Sequence, residues 1–312
     1  MAKRTAKSAT SLLLQDTDES ADRLRTPRDL LRFAVSQFNE AGLFFGHGSH
    51  DAYDEAVYLI LHVLHLPLDR IEPFLDAQLL DHERTAVMEI LRRRIDQRKP
   101  AAYLTNEAWL GDLRFYVDER VIVPRSFIAE LLREKLQPWI SNASRIRHAL
   151  DLCTGSGCLA VLMAHAFPDA HIDATDVHDD ALEVARRNIA DYRLTRRIEL
   201  IRSDLFKALQ GRKYDLIVSN PPYVDSVSMG ALPEEYRHEP RSALAAGKDG
   251  LDVIRIVVRS AKRHMSARGL LVIEVGLNRA VLENAFPMLP FIWPQISTGD
   301  DYVALLWRED LP

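Results

Sequence analysis

The chain has 312 residues, 47% hydrophobic and 27% charged, an ordinary composition for a globular protein long enough to hold two domains and a sizeable core. Its formal net charge of −5 disfavours a polyanion as the main partner, since proteins that grip nucleic acid normally show a basic face. No apolar run approaches the roughly 20 residues of a membrane-spanning helix; the only cysteines, Cys153 and Cys158, lack Cys-x-x-Cys spacing and read as reduced thiols, so a cytoplasmic protein is expected.

In chain order, residues 1–24 read as a disordered tail. Lys3, Arg4 and Lys7 among Ser and Thr residues imitate an organelle leader, but Ser11-Leu12-Leu13-Leu14 is too short for a signal-peptide core. Thr26-Pro27 is a helix start, with Thr as cap and Pro in the first turn. Leu30, Leu31, Phe33, Ala34 and Phe38 mark one apolar stripe and Ala56, Leu59, Ile60, Val63 and Leu64 another, which predicts a small helical domain over residues 25–100. This domain is expected to recognise the substrate. His47, His50, Asp51, Asp54 and Glu55 cluster as metal ligands do, yet a capped loop entering a helix accounts for Ser49, Asp51 and Glu55, and no metal is expected. His62 and His65 read as packed histidines. Arg92, Arg93, Arg94 and Arg98 are interspersed with acids and read as a solvated helix face, as do Arg186, Arg187, Arg193, Arg196 and Arg197.

Residues 101–123 alternate in polarity around Gly111-Asp112 and predict a β-hairpin linker. From 124 to 312 strand-like and helix-like patterns alternate, with Leu270 to Val275 and Tyr302 to Trp307 as late strands. That order predicts an α/β fold whose ligands sit at the carboxyl ends of its strands.

The first strand of that region runs into Asp151-Leu152-Cys153-Thr154-Gly155-Ser156-Gly157 and then a helical apolar pattern. Gly155 and Gly157 permit a tight turn and close backbone approach, and the helix start supplies unpaired N–H groups. The third glycine of a dinucleotide fingerprint is absent, and no Gly-Lys-Ser/Thr follows, so a phosphate-bearing nucleotide loses ground to an adenosine ligand. Asp176 ends the next strand at the distance expected of a ribose-binding carboxylate; a solvated loop aspartate is the competing reading. Asp204 ends the strand after that, placed to accept from an adenine amine, with Leu205 and Phe206 either packing on the base or belonging to the core.

Asn220-Pro221-Pro222-Tyr223 directly follows the buried-strand pattern Tyr214 to Ser219. Asn220 offers a side-chain oxygen, and Pro222 pushes Pro221 into an extended conformation. Such a site suits a planar group bearing an NH₂, whose hydrogens go to the Asn220 oxygen and the Pro221 carbonyl while Tyr223 covers one face. Alone, the tetrapeptide would read as a turn.

The ordered set of Asp151 to Gly157, Asp176, Asp204-Leu205 and Asn220 to Tyr223 resembles the seven-stranded class I (Rossmann-like) S-adenosylmethionine-dependent methyltransferases. The resemblance implies cofactor binding by Asp151, Cys153, Thr154, Gly155, Ser156, Gly157, Asp176, Asp204, Leu205 and Asn220, and catalysis by Asn220, Pro221, Pro222 and Tyr223. The segments Val123 to Leu131 and Glu239 to Leu251 are similar to motifs of the protein glutamine N(5)-methyltransferases. The segment Pro124 to Glu130, which lacks the Asp-Thr-Glu that usually follows Pro-Arg and one further residue in the branch that modifies peptide release factors, Cys153 where that branch usually has Gly, and the segment Leu43 to Ala56 resemble instead the branch that modifies ribosomal protein L-three of the large subunit. A large-subunit ribosomal protein is thus the implied partner. A nucleic-acid adenine methyltransferase and a binding protein that holds the cofactor without turnover are the alternatives.

Overall fold

The computed structural model describes residues 23–312; all but the last two residues of the expected tail lie outside the described residues. The chain divides into two compact units, Met1–Thr105 and Asn106–Pro312.

In the first unit α1 (Pro27–Glu40) begins as its sequence predicts: the Asp29 N–H donates to the Thr26 hydroxyl at 3.2 Å, and the Asp29 carboxylate accepts the Thr26 N–H at 3.0 Å, a reciprocal cap. Asp51 caps α2 (Ala52–Val63), accepting from the Tyr53 and Asp54 N–H groups. Glu55 turns inward and binds Arg94 of α3 (Asp81–Gln97) at 2.6 Å, both side chains being buried. The basic run of α3 is therefore not a uniformly solvated face. Val87, Ile90 and Leu91 are buried, and Arg94 occupies the next position on the same stripe. Arg98, left-handed at φ 51°, donates to the Ala41 and Gly42 carbonyls. His62 is half-buried beside Tyr58, but His65 is exposed. Leu30, Ala34, Phe38, Leu59, Ile60 and Leu91 fill the core.

Residues 101–105 form a short helix, α4 (Ala101–Thr105), where the alternation predicts linker. Pro100 cannot extend a preceding helix but its carbonyl accepts from Tyr103 and Leu104, starting a new turn. The hairpin itself is β1 (Glu107–Leu110) against β2 (Leu113–Tyr116), turning at Gly111 with φ 65°.

The second unit continues with α5 (Ile128–Arg133), β3 (His148–Leu152), α6 (Cys158–Ala166), β4 (His171–Asp176), α7 (Asp179–Asp191), β5 (Ile198–Arg202), β6 (Tyr214–Ser219), α8 (Ser226–Ala231), α9 (Asp252–Ala261), β7 (Met265–Glu274), α10 (Arg279–Ala285) and β8 (Val303–Trp307). β3 to β8 form one sheet in the order β5-β4-β3-β6-β7-β8, parallel except for the antiparallel β8. The place of a seventh strand beside β8 is held by Ile292 alone, paired in both directions with Leu305. Pro290 and Pro294 flank it, and each lacks an N–H for a longer ladder. The central strands are buried on both faces, so they read as continuous apolar runs. Leu150, Leu152, Ile217, Leu271, Ile273 and Val257 make the core on one side. Chain order reverses between β3 and β6, which pair side by side, and that reversal opens a crevice at the carboxyl ends of the strands.

Candidate active site

β3 delivers the chain into a turn that needs left-handed backbone three times, at Cys153 (φ 65°), Gly155 (φ 52°) and Gly157 (φ 78°). No atom lies within 4 Å of where a Gly155 Cβ would stand, so the backbone there faces open space. At Gly157 a Cβ would come within 3.1 Å of Ala185 Cβ, which makes it a packing glycine between α6 and α7. Asp151 is not at the surface of this site. One residue inside the strand end and fully buried, it accepts from the Thr154 hydroxyl and from the Ala160 N–H at 3.0 Å. Burial pushes its pKa up to about 7. The Thr154 N–H is tied to the Thr175 carbonyl and the Ser156 carbonyl accepts from Asn188. Asp151, Thr154, Ser156 and Gly157 frame the turn and are not among the residues that line the cavity it borders, whereas the motif resemblance implies that they contact the cofactor. The Thr154 hydroxyl and N–H and the Ser156 carbonyl are turned into the fold toward partners there, whereas Asp151 Oδ1 and the Ser156 hydroxyl are buried without a hydrogen-bond partner among the described residues.

Cys153 and Gly155 do line that cavity, of about 240 Å³, together with Asp176, Asp204, Leu205 and Pro222. Asp176, at the end of β4, accepts one N–H on each carboxylate oxygen, from Gly155 and from His178, both at 3.0 Å. Each oxygen keeps a further lone pair for a hydroxyl. Asp204 is exposed and paired with Lys207. Leu205 holds φ 50° and faces the cavity, whereas Phe206 is buried and stacks on His264 at 4.7 Å; Phe206 is core and not a platform for the base. Apolar Val253 and Ile256 complete the wall, and the one arginine on it, Arg120, is engaged by Asp118 and Glu183. Acceptors for hydroxyls, apolar surface for a ring and a committed guanidinium fit an adenosyl group without phosphates. The lining is therefore suited to S-adenosylmethionine.

A second cavity of about 350 Å³ lies beyond Asn220. Asn220, Ile122 and Ala243 line both cavities, so the asparagine that ends β6 stands in their common wall. Pro221 and Tyr223 line the second cavity and Pro222 the first. The tetrapeptide therefore presents successive residues to opposite sides. Val224, which follows it, forms a parallel bridge with Ala245, tying the segment down.

Several residues of the second cavity carry roles that motif reading had not assigned. Arg125 binds both oxygens of the buried Glu239, which also takes the Val123 N–H, and lies 5.4 Å from the centre of the Tyr236 ring. Both charges fall in segments that resemble family motifs, which was the available signal. The Tyr223 hydroxyl donates to Glu274 at 3.1 Å, and its ring lies against Gly276, where a Cβ would stand 2.7 Å from Tyr223 Cε2. Burial pushes the Glu274 pKa up, opposed by its hydrogen bonds from Ser126, Tyr223 and Phe127. Tyr223 is pushed well up by burial and by the Glu274 charge, and keeps its proton. Glu274 closes an apolar strand with an acid, the same signature that marks Asp176.

Residues 129–247 match the family model described as the methyltransferase small domain. The ribosomal protein uL3 glutamine methyltransferase of Neisseria gonorrhoeae is 60% identical over 94% of this chain and 98% of that protein. Its counterpart in Bordetella pertussis is 55% identical over 92% of this chain and 97% of that protein. Among solved structures, the catalytic domain of hMettl16 in complex with a MAT2A 3′UTR hairpin is similar at a TM-score of 0.47 and 14% identity, covering 72% of this chain and 81% of that one, a likeness too distant to add to the argument.

Proposed function

The chain belongs to the family of ribosomal protein uL3 glutamine methyltransferases, and we propose that the wall shared by its two cavities is where a methyl group passes to a glutamine side-chain amide of that ribosomal protein. The observation that carries this reading is the position of Asn220, the residue that lines an adenosyl-sized cavity on one side and an aromatic-lined cavity on the other.

S-adenosylmethionine supplies, when bound, a methyl group on a positively charged sulfur. The acceptor is a weak one. Amide nitrogen shares its lone pair with the carbonyl, the resonance that raises peptide rotation barriers to about 18–20 kcal/mol. As the nitrogen takes up the methyl group, positive charge appears on the NH₂, so oxygens aimed at its hydrogens bind the transition state more tightly than the ground state. The Asn220 side-chain oxygen and the Pro221 carbonyl fill that role. At about 1.5–3 kcal/mol each for bonds to a charged group, they provide about two to four powers of ten in rate. Alignment of nitrogen with the methyl group supplies on the order of 7–11 kcal/mol more; the fixed ring of Tyr223 and the paired Arg125 and Glu239 hold the walls that impose it. No general base is required, because the methylated nitrogen is strongly acidic while cationic and loses its proton to water.

Asp176 holds the ribose hydroxyls, Asp204 and Leu205 the base, and the helical unit selects the ribosomal protein. A ribosomal protein substrate, together with an acidic chain that attracts basic partners, supports a cytoplasmic protein-modifying enzyme over one acting on nucleic acid. Among the described residues no helix is long and apolar enough to cross a membrane.

Purified uL3, a peptide release factor and adenine-containing DNA, offered together with S-adenosylmethionine, separate the readings. The expected product is uL3 methylated on one glutamine amide nitrogen, formed about 10- to 100-fold more slowly by Asn220→Ala. Methyl on the release factor would move the chain to the sister activity, and methyl on adenine alone would overturn the protein substrate.

A further inference from the structure

Glu274 is the last residue of β7 and only 1% exposed, yet its carboxylate reaches three donors from two separate chain segments. One oxygen accepts the Tyr223 hydroxyl at 3.1 Å; the other accepts the Phe127 N–H at 3.0 Å and the Ser126 hydroxyl. Both Tyr223 and Phe127 line the second cavity. The Phe127 ring packs on Tyr302, a third lining residue, at 4.8 Å between centres. Tyr223 is fixed from the other side as well: its carbonyl accepts from Asn278 at 2.7 Å, and its ring edge leaves no room for a Cβ on Gly276. A buried carboxylate is costly unless every lone pair in reach is used, and an apolar residue at this strand end would pack without that cost. The carboxyl group stands where it joins two aromatic walls of the substrate cavity.

We propose that Glu274 is a positioning residue for methyl transfer, holding the Tyr223 and Phe127 rings at the separation that admits a flat amide and keeps it facing the methyl group. This rests on the glutamine-methylating function proposed above. Glu274 touches neither substrate nor cofactor on this account and acts through Tyr223. The Ser126-Phe127 pair then has a physical role, supplying two of the three donors that fix the carboxylate.

The test is steady-state methylation of purified uL3 by wild type, Glu274→Gln, Tyr223→Phe and the double variant, with S-adenosylmethionine affinity and thermal midpoint measured alongside. Glu274→Gln is expected to lower kcat by about tenfold or more while KM for uL3 and cofactor affinity stay within about twofold, the pattern of a lost transition-state alignment. In the Tyr223→Phe background the same change is expected to cost less than about threefold further, since coupled residues do not add. A wild-type kcat in Glu274→Gln, or independent multiplying losses in the double variant, would overturn the assignment. Should Glu274→Gln not fold, Ser126→Ala removes one donor only and is expected to give the same split between kcat and KM at smaller size; an unchanged kcat there overturns it equally. Wild type that leaves glutamine unmethylated would sink the proposed function and this role with it, whereas active wild type with equally active Glu274→Gln sinks the role alone.

Discussion

Asn220 gains its importance from where β6 stops. The strand is buried to Ser219, and the next side chain is the first to leave the sheet, half-buried between two cavities. Asn220→Ala is expected to lower kcat by about 10- to 100-fold, the loss of one hydrogen bond to a developing charge, in a protein whose thermal midpoint is little changed; transfer of labelled methyl to uL3 measures it. Asp151 makes a different prediction. Its folded-state pKa of about 7 lies above the ordinary value of 3.8, so its protonation favours the folded state. That stabilisation is present below about pH 4 and lost as pH rises to about 7. Asp151→Asn cannot titrate, and relative to wild type it should gain stability from pH 4 to 7, by about 4 kcal/mol at most, and hold a constant difference above; denaturant midpoints across that range report it. The strand-end positions of Asn220 and Asp176 were legible in the sequence because a strand pattern stops at each. Asp151 was legible only as a residue of the glycine turn, because a carboxylate there reads the same whether it faces a ligand or its own backbone. The Ala160 N–H and the Thr154 hydroxyl, brought back by the turn, both reach Oδ2 and leave Oδ1 buried without a partner.

At the level of elements, the helical stripes foretold more than was drawn from them. Val87, Ile90, Leu91 and Arg94 follow the spacing of one buried face, and Glu55 precedes Leu59 on the face of α2 that is buried. Composition made the arginines look solvated, while periodicity put one inside and supplied its acid. Arg94→Ala is expected to destabilise the protein by about 3–5 kcal/mol, because it strands a buried carboxylate, whereas the double change Glu55→Leu with Arg94→Met should be close to neutral; urea denaturation distinguishes the two. The β-hairpin was legible from its alternation and Gly111-Asp112, but the helix at Ala101–Thr105 was not, since five residues are too few to show a helical period. The seventh strand shrank to Ile292 for a reason visible in the sequence, the prolines at 290 and 294. Gly276, one residue past the valine that follows β7, is constrained twice, by φ 57° and by the Tyr223 ring. Gly276→Ala must therefore displace that ring, and kcat should fall while cofactor affinity, set in the other cavity, is kept; isothermal titration with S-adenosylmethionine beside the methylation assay tests both.

Across the whole molecule, strand order rather than any one motif brings the chemistry together. Pairing β3 with β6 places the glycine turn and Asn220 side by side although about seventy residues separate them in sequence. The α/β layering was legible from the alternation of strands and helices, and the strand order was not. The division of labour between two cavities was not, because it depends on Pro221 and Pro222 facing opposite ways. The net charge of −5 adds a testable property: with a basic ribosomal protein as substrate, KM should rise with ionic strength, while cofactor affinity, set by short contacts within a cavity, responds little. The most direct test of glutamine methylation by this site is to supply labelled S-adenosylmethionine and the purified protein to an extract of cells that lack it, and to identify the labelled species by mass spectrometry. Label on a single glutamine of uL3, appearing about 10- to 100-fold more slowly with Asn220→Ala, is the predicted result; label confined to nucleic acid or to another protein, or label on uL3 that appears at the wild-type rate with Asn220→Ala, would contradict it.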